Sequence, residues 1–200
     1  MKTVPQSVEC LAHTPNPMQL IERAGRICYK SEAKITPSSA EVFIRMILNR
    51  GHESVLEHAS ATFHIVTDRG ISHEIVRHRL ASYSQESTRY CSYKSDDLTF
   101  IDPGFKRMDT KEGWERACMA AEEAYKRILQ HSTPQWARSV LPNSLKTEIV
   151  MTANFREWRH FLRMRGARDA HPQIQDIAKM IHQWFSENYP VIVEDITIQI

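Results

Sequence analysis

The sequence predicts an α+β fold: one domain spanning residues 1–200, with a mixed or antiparallel sheet that carries helices on its faces. Three observations lead there. The chain has 200 residues, 42% of them hydrophobic, which is enough for a full core without disulfide staples. Residues 59–66 alternate, with Ala59, Ala61, Phe63 and Ile65 on one side and Ser60, Thr62, His64 and Val66 on the other, the period of a half-buried strand. Several other stretches have helical periodicity. The six glycines form no Gly-x-Gly-x-x-Gly or Walker pattern, so a Rossmann fold is excluded and any nucleotide must be held by side chains and helix ends.

Taken in order, Val8 to Ala12 reads as a short strand. Asn16-Pro17 supplies an N-cap followed by Pro at the first helical position, and Leu20, Ile21, Ala24, Ile27 and Cys28 form the stripe of the helix that follows. Thr36-Pro37 repeats the start signal, Phe43, Met46 and Ile47 give an apolar face, and Asn49 to Gly51 gives the stop. After the strand at 59–66, Asp68-Arg69-Gly70 turns the chain into a helix from Gly70 to Arg77, with Ile71/Ile75 and Val76/Leu80 at i, i+4 spacing.

Lys94 to Arg107 is largely polar, with Pro103-Gly104, and reads as a loop of the kind that covers a site. A long helix is expected from Asp109 to about Gln130, with Trp114, Cys118, Ala121, Tyr125 and Ile128 inward and Glu122/Lys126 and Glu123/Arg127 as pairs on a solvated face. Pro134 and Pro142 bracket Trp136-Ala-Arg138. Glu148 to Thr152 is apolar enough for a buried strand or a helix start. Phe155 to Gly166 reads as a helix, and His171-Pro172 starts the last one, cored by Ile174, Ile177, Ala178, Ile181 and Trp184. The alternation of Ile196, Ile198 and Ile200 reads as a final strand.

Two stretches hold more chemistry than scaffolding needs. Arg77 to Tyr90 packs three arginines, a histidine, four Ser/Thr hydroxyls and an amide into fourteen residues, and guanidinium forks match phosphate and carboxylate. On a helix Arg77 and Arg79 would point roughly 200° apart, so they suit two anionic groups or a site between subunits unless the helix ends there. In the helix from Phe155, the residues Arg156, Arg159, His160 and Arg163 share one face. Arg165 falls with Trp158 and Leu162 on the apolar one, where a desolvated guanidinium needs an acceptor. A structural salt bridge and a ligand contact both satisfy that need.

Charge and cysteine usage narrow the classes. With 26 basic and 24 acidic residues the formal charge is +2, so the chain is no nucleic-acid-binding polyelectrolyte, and any basic site is local. Cys10, Cys28, Cys91 and Cys118 are scattered, without Cys-x-x-Cys spacing or a signal peptide ahead of them, which points to reduced thiols in a cytoplasm. No apolar run approaches membrane-spanning length. His52, His58, His64, His73 and His78 lack the spacing of a metal site, so no metal is expected. Hydrolysis lacks a nucleophile-elbow pattern and a placed acidic partner. The competing class is a small nucleotide- or RNA-binding module using the basic helix face and Tyr83, Tyr90 and Tyr93 as stacking platforms.

The pattern Arg77-His78-Arg79, seven residues, Ser87 and then Arg89-Tyr90 resembles the signature of the flavin-dependent thymidylate synthases. His52-Glu53-Ser54-Val-Leu-Glu57-His58 is similar to a segment that family carries near its flavin. The resemblance runs from about His52 to Arg165. It implies a homotetramer with active sites between subunits, which make dTMP from dUMP with 5,10-methylenetetrahydrofolate as one-carbon donor, FAD as hydride carrier and NADPH as reductant. By matched position it implies that Ser54, Arg77, His78, Arg79, Asn154, Arg156 and His160 contact FAD. Glu74, Arg77, Gln85, Ser87, Arg89, Arg138 and Arg165 would form the dUMP site, with Arg165 and Ser87 as the catalytic residues. Glu74 stands where several members have Gln, and a carboxylate cannot donate to a uracil carbonyl unless protonated. No cysteine sits in a Pro-Cys-Gln type context, so a covalent thiolate route is not expected.

Overall fold

A computed structural model describes residues 1–93 and 98–199. The elements in chain order are β1 (Lys2–Val4), β2 (Ser7–His13), α1 (Pro17–Cys28), α2 (Ser39–Asn49), β3 (Ser60–Asp68), α3 (Arg69–Ile75), β4 (Ala81–Gln85) and β5 (Thr99–Ile101). They continue with α4 (Met108–Leu129), α5 (Pro134–Ala137), β6 (Lys146–Asn154), α6 (Phe155–Arg165) and α7 (Pro172–Asn188). One sheet has the order β2-β3-β6-β4, and β1 pairs with β5 in parallel. In the larger sheet strand ends meet strand starts: Thr14 N donates to Ser60 O, Phe155 N to Ala59 O and Glu86 N to Glu148 O. That is antiparallel pairing. The fold is thus α+β, an antiparallel sheet flanked by helices. No helix among the described residues is long and apolar enough to cross a membrane.

Packing groups the residues into two compact units, one made of Met1–Ser7, Ile65–Arg77 and Ser84–Ile149, the other of Val8–His64, His78–Tyr83 and Val150–Ile200. In the first, Leu98, Phe100, Cys118, Tyr125, Leu129, Ala137 and Leu145 form a core that α4 covers. In the second, the alternation of β3 puts Phe63 in edge contact with Trp158 of α6 and Trp184 of α7, at ring centroids 4.9 and 5.1 Å apart. The indole of Trp158 also donates to Ala61 O at 3.0 Å. β3 therefore has the predicted inward set.

Several expectations are corrected. Helix α1 starts at Pro17 as predicted, but Asn16 sits in the left-handed region at φ 47 and makes no side-chain cap. Its buried face is Met18, Ile21, Glu22 and Gly25, while Leu20, Ile27 and Cys28 are exposed. The partner helix decides this, because a Cβ at position 25 would lie 2.5 Å from the Phe43 ring and only glycine admits it. In α2 the buried set is Ala40, Phe43, Ile44 and Ile47, with Met46 more exposed. Part of the expected loop 94–107 is strand: β5 is there, with Leu98, Phe100 and Ile101 buried, and residues 94–97 lie outside the described residues. Glu122 is not on a solvated face but buried, bonded to Lys126 at 2.7 Å and to the N-terminal ammonium at 3.0 Å. No strand forms from the C-terminal isoleucines within the described residues. Ile196 is buried and its carbonyl meets His182 at 3.0 Å, while Ile198 packs over Gly166. Ile200 is not among the described residues.

Candidate active site

Helix α3 is where the structure changes the reading of the signature most. Asp68 caps it, accepting from Ile71 N at 2.7 Å, and Ile71 and Ile75 are buried as expected. It ends at Ile75 instead of Arg77, and Val76 and Leu80 are exposed. Released from the helix, Arg77 and Arg79 are both exposed, so the geometric conflict between them disappears. Residues 81–85, which carry no clear alternation, form β4.

In the first unit a hollow of about 530 Å³ is lined by Arg69, His73, Thr88, Gln135, Trp136 and Arg138 among others, with no carboxylate on its wall among the described residues. Arg69 and His73 stand at i, i+4 on α3. Backbone bonds from Arg69 N to Leu145 O and from Gly70 N to Asn143 O, both 3.1 Å, fix the start of that helix. Arg89 reaches Gln135 at 3.5 Å, and Ser87 opens a turn, its carbonyl accepting from Cys91 N at 2.9 Å. Gln85 is turned into the fold, donating to Ser72 at 2.9 Å and Thr147 at 3.2 Å. Glu74 is half-buried on α3. Behind the turn, Tyr93 donates to Glu86 at 2.5 Å and Lys146 bonds Glu86 and Glu148. Burial and the Glu86 carboxylate push the Tyr93 phenol far up, so it stays a donor.

The second unit holds two further hollows. One, of about 430 Å³, is lined by Glu53, Glu57, Asn154, Arg156, His160 and Arg163. The other, of about 350 Å³, is lined by Phe43, Ile47, Ser54, Val55 and again Glu53 and Arg156. Asn154 caps α6, accepting from Glu157 N at 2.8 Å. Arg156 pairs with Glu57 at 2.6 Å, an exposed contact worth about 0.2–1 kcal/mol and so easily exchanged for a ligand anion.

The basic face predicted on α6 is split. Arg156, His160 and Arg163 are exposed, but Arg159 is fully buried. It pairs with Asp195 at 2.7 Å and Glu53 at 3.1 Å, and also donates to Ile192 O, which makes it a structural cation. Nothing in the spacing of α6 separates Arg159 from its neighbours.

Arg165 is half-buried, and an imidazole is an acceptor for it: Nε donates to His78 Nε2 at 3.1 Å. The other ring nitrogen of His78 faces Glu157 Oε1 at 3.0 Å. His78 is buried, its ring 4.9 Å from Phe161 and 5.4 Å from His160 between centroids. Burial lowers its pKa, Glu157 opposes this, and the Arg165 charge adds to the lowering; the net direction is down, toward a neutral ring. Tyr83 donates to His78 O at 2.5 Å, and burial raises its phenol to about 12. His78, Glu157 and His160 place ligand atoms within 4.8 Å of one another. Both nitrogens of His78 are engaged, however, and a guanidinium stands against one of them, which disfavours a cation there.

Residues expected at dUMP, namely Glu74, Arg77, Gln85, Ser87, Arg89 and Arg138, fall in the first unit, and Arg165 in the second. Of the residues expected at FAD, Ser54, His78, Arg79, Asn154, Arg156 and His160 fall in the second and Arg77 in the first. Arg77 and Arg79 line none of the three hollows. Sequence reasoning assigned no ligand contact to Arg69, His73 or Glu157, and it placed Arg159 on a shared basic face. The first two were detectable as an i, i+4 pair on the signature helix.

Fold and side chains together define an α+β protein with a basic, hydroxyl-lined hollow in one unit and, in the other, hollows where arginines stand among carboxylates. The family described as thymidylate synthase complementing protein matches residues 9–191. A flavin-dependent thymidylate synthase of Geobacter sulfurreducens is 36% identical over 198 residues, covering 94% of this chain and 85% of the relative. One from Mycobacterium sp. strain KMS is 37% identical over 200 residues, covering 88% and 78%. Among solved structures, the UMP/dUMP methylase PolB of Streptomyces cacaoi, bound with 5-Br dUMP, aligns with TM-score 0.83 and 26% identity over 97% of this chain and 96% of that one. Thymidylate synthase X of Helicobacter pylori, with FAD and dUMP, aligns with TM-score 0.80 over 95% and 98% at 24% identity, a likeness of fold. The chain belongs to the flavin-dependent thymidylate synthase family.

Proposed function

We propose that this chain makes dTMP from dUMP by reductive methylation, taking the one-carbon unit from 5,10-methylenetetrahydrofolate, with FAD as hydride carrier and NADPH as its reductant. The observation that carries the reading is that the family match, residues 9–191, runs through both basic stretches and both units. For the same reason residues 1–200 are read as one functional domain. The names of the relatives support FAD and dUMP as ligands. The alternative of an RNA-binding module has no such support, and a formal charge of +2 argues against it.

The residues present fit FAD. In one hollow Arg156, Arg163 and His160 stand among Glu53, Glu57 and Glu157, so a diphosphate would bind there by displacing the exposed Glu57 from Arg156, and the apolar wall of Phe43, Ile47 and Val55 beside Ser54 suits a flat ring. FAD when bound would supply the hydride chemistry, and the chain supplies orientation and electrostatics. Ser54, Arg77, His78, Arg79, Asn154, Arg156 and His160 are assigned to it.

Ser87, Arg89 and Arg138 hold the dUMP phosphate, with Glu74, Arg77 and Gln85 completing that site. Arg165 lies beside the uracil, where a fixed cation stabilises negative charge as the ring becomes nucleophilic. Ser87 is the second catalytic residue. The assembly is a cytoplasmic homotetramer with its sites between subunits. The test is direct: purified protein should be yellow and release FAD on denaturation, and should form dTMP only when dUMP, NADPH and methylenetetrahydrofolate are all present. Protein that takes up no FAD even in excess would refute the reading.

A further inference from the structure

We propose that Glu157 is a positioning residue for Arg165, acting through one fixed tautomer of His78. The inference rests on the reading that Arg165 serves the uracil, and it concerns a residue that the signature does not contain.

A guanidinium has N–H donors and no acceptor, so the 3.1 Å contact from Arg165 Nε requires a bare lone pair on His78 Nε2. A neutral imidazole with a bare Nε2 carries its proton on Nδ1. Glu157 Oε1 stands 3.0 Å from that atom, and an ionised carboxylate only accepts. The carboxylate therefore admits the one tautomer that lets the ring receive Arg165. The opposite tautomer, or the imidazolium, would set an N–H against the N–H of Arg165.

The chain of contacts is held at each link. His78 and Glu157 expose 4% and 7% of their side chains, so water does not compete for these bonds. Glu157 sits in the first turn of α6, where its own N–H is capped by Asn154 and the helix dipole favours its charge. Tyr83 fixes the His78 backbone from β4. Among the described residues the titratable and charged groups that act on the ring are Glu157, His160 and Arg165 from α6, while Tyr83 from β4 meets the His78 carbonyl. Burial keeps the ring neutral against the pull of Glu157. A bond to Nε fixes the plane of the guanidinium about its last flexible torsions, and such orientation is what a charge-stabilising fork needs.

The experiment uses the FAD-loaded enzyme and two variants, Glu157→Gln and Glu157→Asp. Imidazole nitrogen resonances of His78, assigned in protein labelled with nitrogen-15 histidine, report the tautomer without reference to turnover. Wild type should show a proton-bearing Nδ1 and a bare Nε2 at neutral pH. A glutamine can turn its NH2 toward Nδ1, so Glu157→Gln should admit the other tautomer. Removing the carboxylate should also lower the pH at which His78 titrates. With FAD content and melting temperature near wild type, the rate of dTMP formation at saturating dUMP should fall roughly tenfold to a hundredfold, as expected for a misplaced catalytic group. Glu157→Asp keeps an acceptor-only group one methylene shorter and should retain the tautomer with intermediate turnover; it also serves if the glutamine variant fails to fold. A proton on Nε2 in the wild type overturns the proposal, and so does normal turnover in a Glu157→Gln variant whose tautomer has changed. Wild-type protein that forms no dTMP overturns the functional reading instead, while the resonances still decide the tautomer.

Discussion

Arg159 and Asp195 form a two-point ion pair, Nη1 to Oδ1 and Nη2 to Oδ2, both at 2.7 Å. The guanidinium is 1% exposed and the carboxylate 46%. That asymmetry sets an order of mutational cost. In Asp195→Ala the buried cation keeps, among the described residues, Glu53 and the Ile192 carbonyl, and removing one partner of a buried charge costs on the order of 3 kcal/mol. In Arg159→Met an apolar chain of similar length fills the space, and the partly exposed carboxylates return to water. Chemical denaturation should show Asp195→Ala as clearly the less stable. The reverse order would mean that the pair itself, and not desolvation of the arginine, governs this region.

The same network should make the protein acid-sensitive. The hydrogen bond from Arg159 holds Asp195 below the ordinary carboxylate range. Burial pushes Glu53 upward, but hydrogen bonds and charge from Arg163 and Arg159 outweigh it and leave it lowered. Folded-state pKa values below the unfolded ones give stability that is present above the unfolded carboxylate range and lost as pH falls through the folded values. The melting temperature should therefore fall as pH drops below the ordinary carboxylate range. Asp195→Asn should flatten that fall while starting lower. A variant as pH-sensitive as the wild type would place the titrating groups elsewhere.

How much of this was legible in the sequence depended on where each signal lay. Helix α6 was readable because its start and stop are local: Asn154 caps it and Gly166 follows it. Strand β3 was readable because a two-residue period needs no partner to recognise. The buried face of α1 was not, since it is fixed by a ring that meets Gly25 from another helix. Ile196 and Ile198 share the period of a strand, yet Ile196 is buried outside any strand and Ile198 packs over Gly166 at the end of α6. At the candidate site the signature identified the residue types. The role of Arg159 as a structural cation was hidden, because its carboxylates are 106 and 36 residues away.

The hollow in the first unit yields a binding prediction. Arg69 and Arg138 line it, and among the described residues no carboxylate shares that wall, so their charge is available to an anion. If the nucleotide phosphate lies there, Arg138→Ala and Arg69→Ala should each weaken dUMP binding by about tenfold or more, the worth of one charge-assisted hydrogen bond. Melting temperatures should barely move. Calorimetric titration at two salt concentrations checks this, because the wild type should lose more affinity with salt than either variant. Unchanged affinity in Arg69→Ala would confine the phosphate to the Arg138 side.

The four thiols should be dispensable for chemistry. Cys118 is buried and Cys10 partly so, and burial raises both thiols, away from the thiolate form a nucleophile needs. Cys28 and Cys91 are exposed. Each Cys→Ser variant should still form dTMP. Cys118→Ser is the one expected to lose stability, since its sulfur is packed in a core. Loss of dTMP formation in any single variant that keeps its fold and flavin would reveal a covalent step.

The sharpest test remains Arg165. Its Nε is tied to His78, so Arg165→Lys keeps a charge but loses both the planar fork and the bond at Nε, whereas Arg165→Ala loses everything. A purely structural arginine, once removed, should lower the melting temperature and leave dUMP affinity intact. A charge-stabilising one should cost activity first. Removing such a donor is worth on the order of 3 kcal/mol, so dTMP formation should fall by roughly a hundredfold or more. Lysine should rescue little, because its ammonium cannot accept the geometry that His78 imposes on the fork. NADPH oxidation without dUMP should survive in both variants, since that half-reaction does not involve the pyrimidine. Measuring melting temperature, FAD content, dUMP affinity and both half-reactions separates the two roles. A large drop in melting temperature with normal dUMP affinity would return Arg165 to the scaffold, as a cation whose task is to satisfy the buried lone pair of His78.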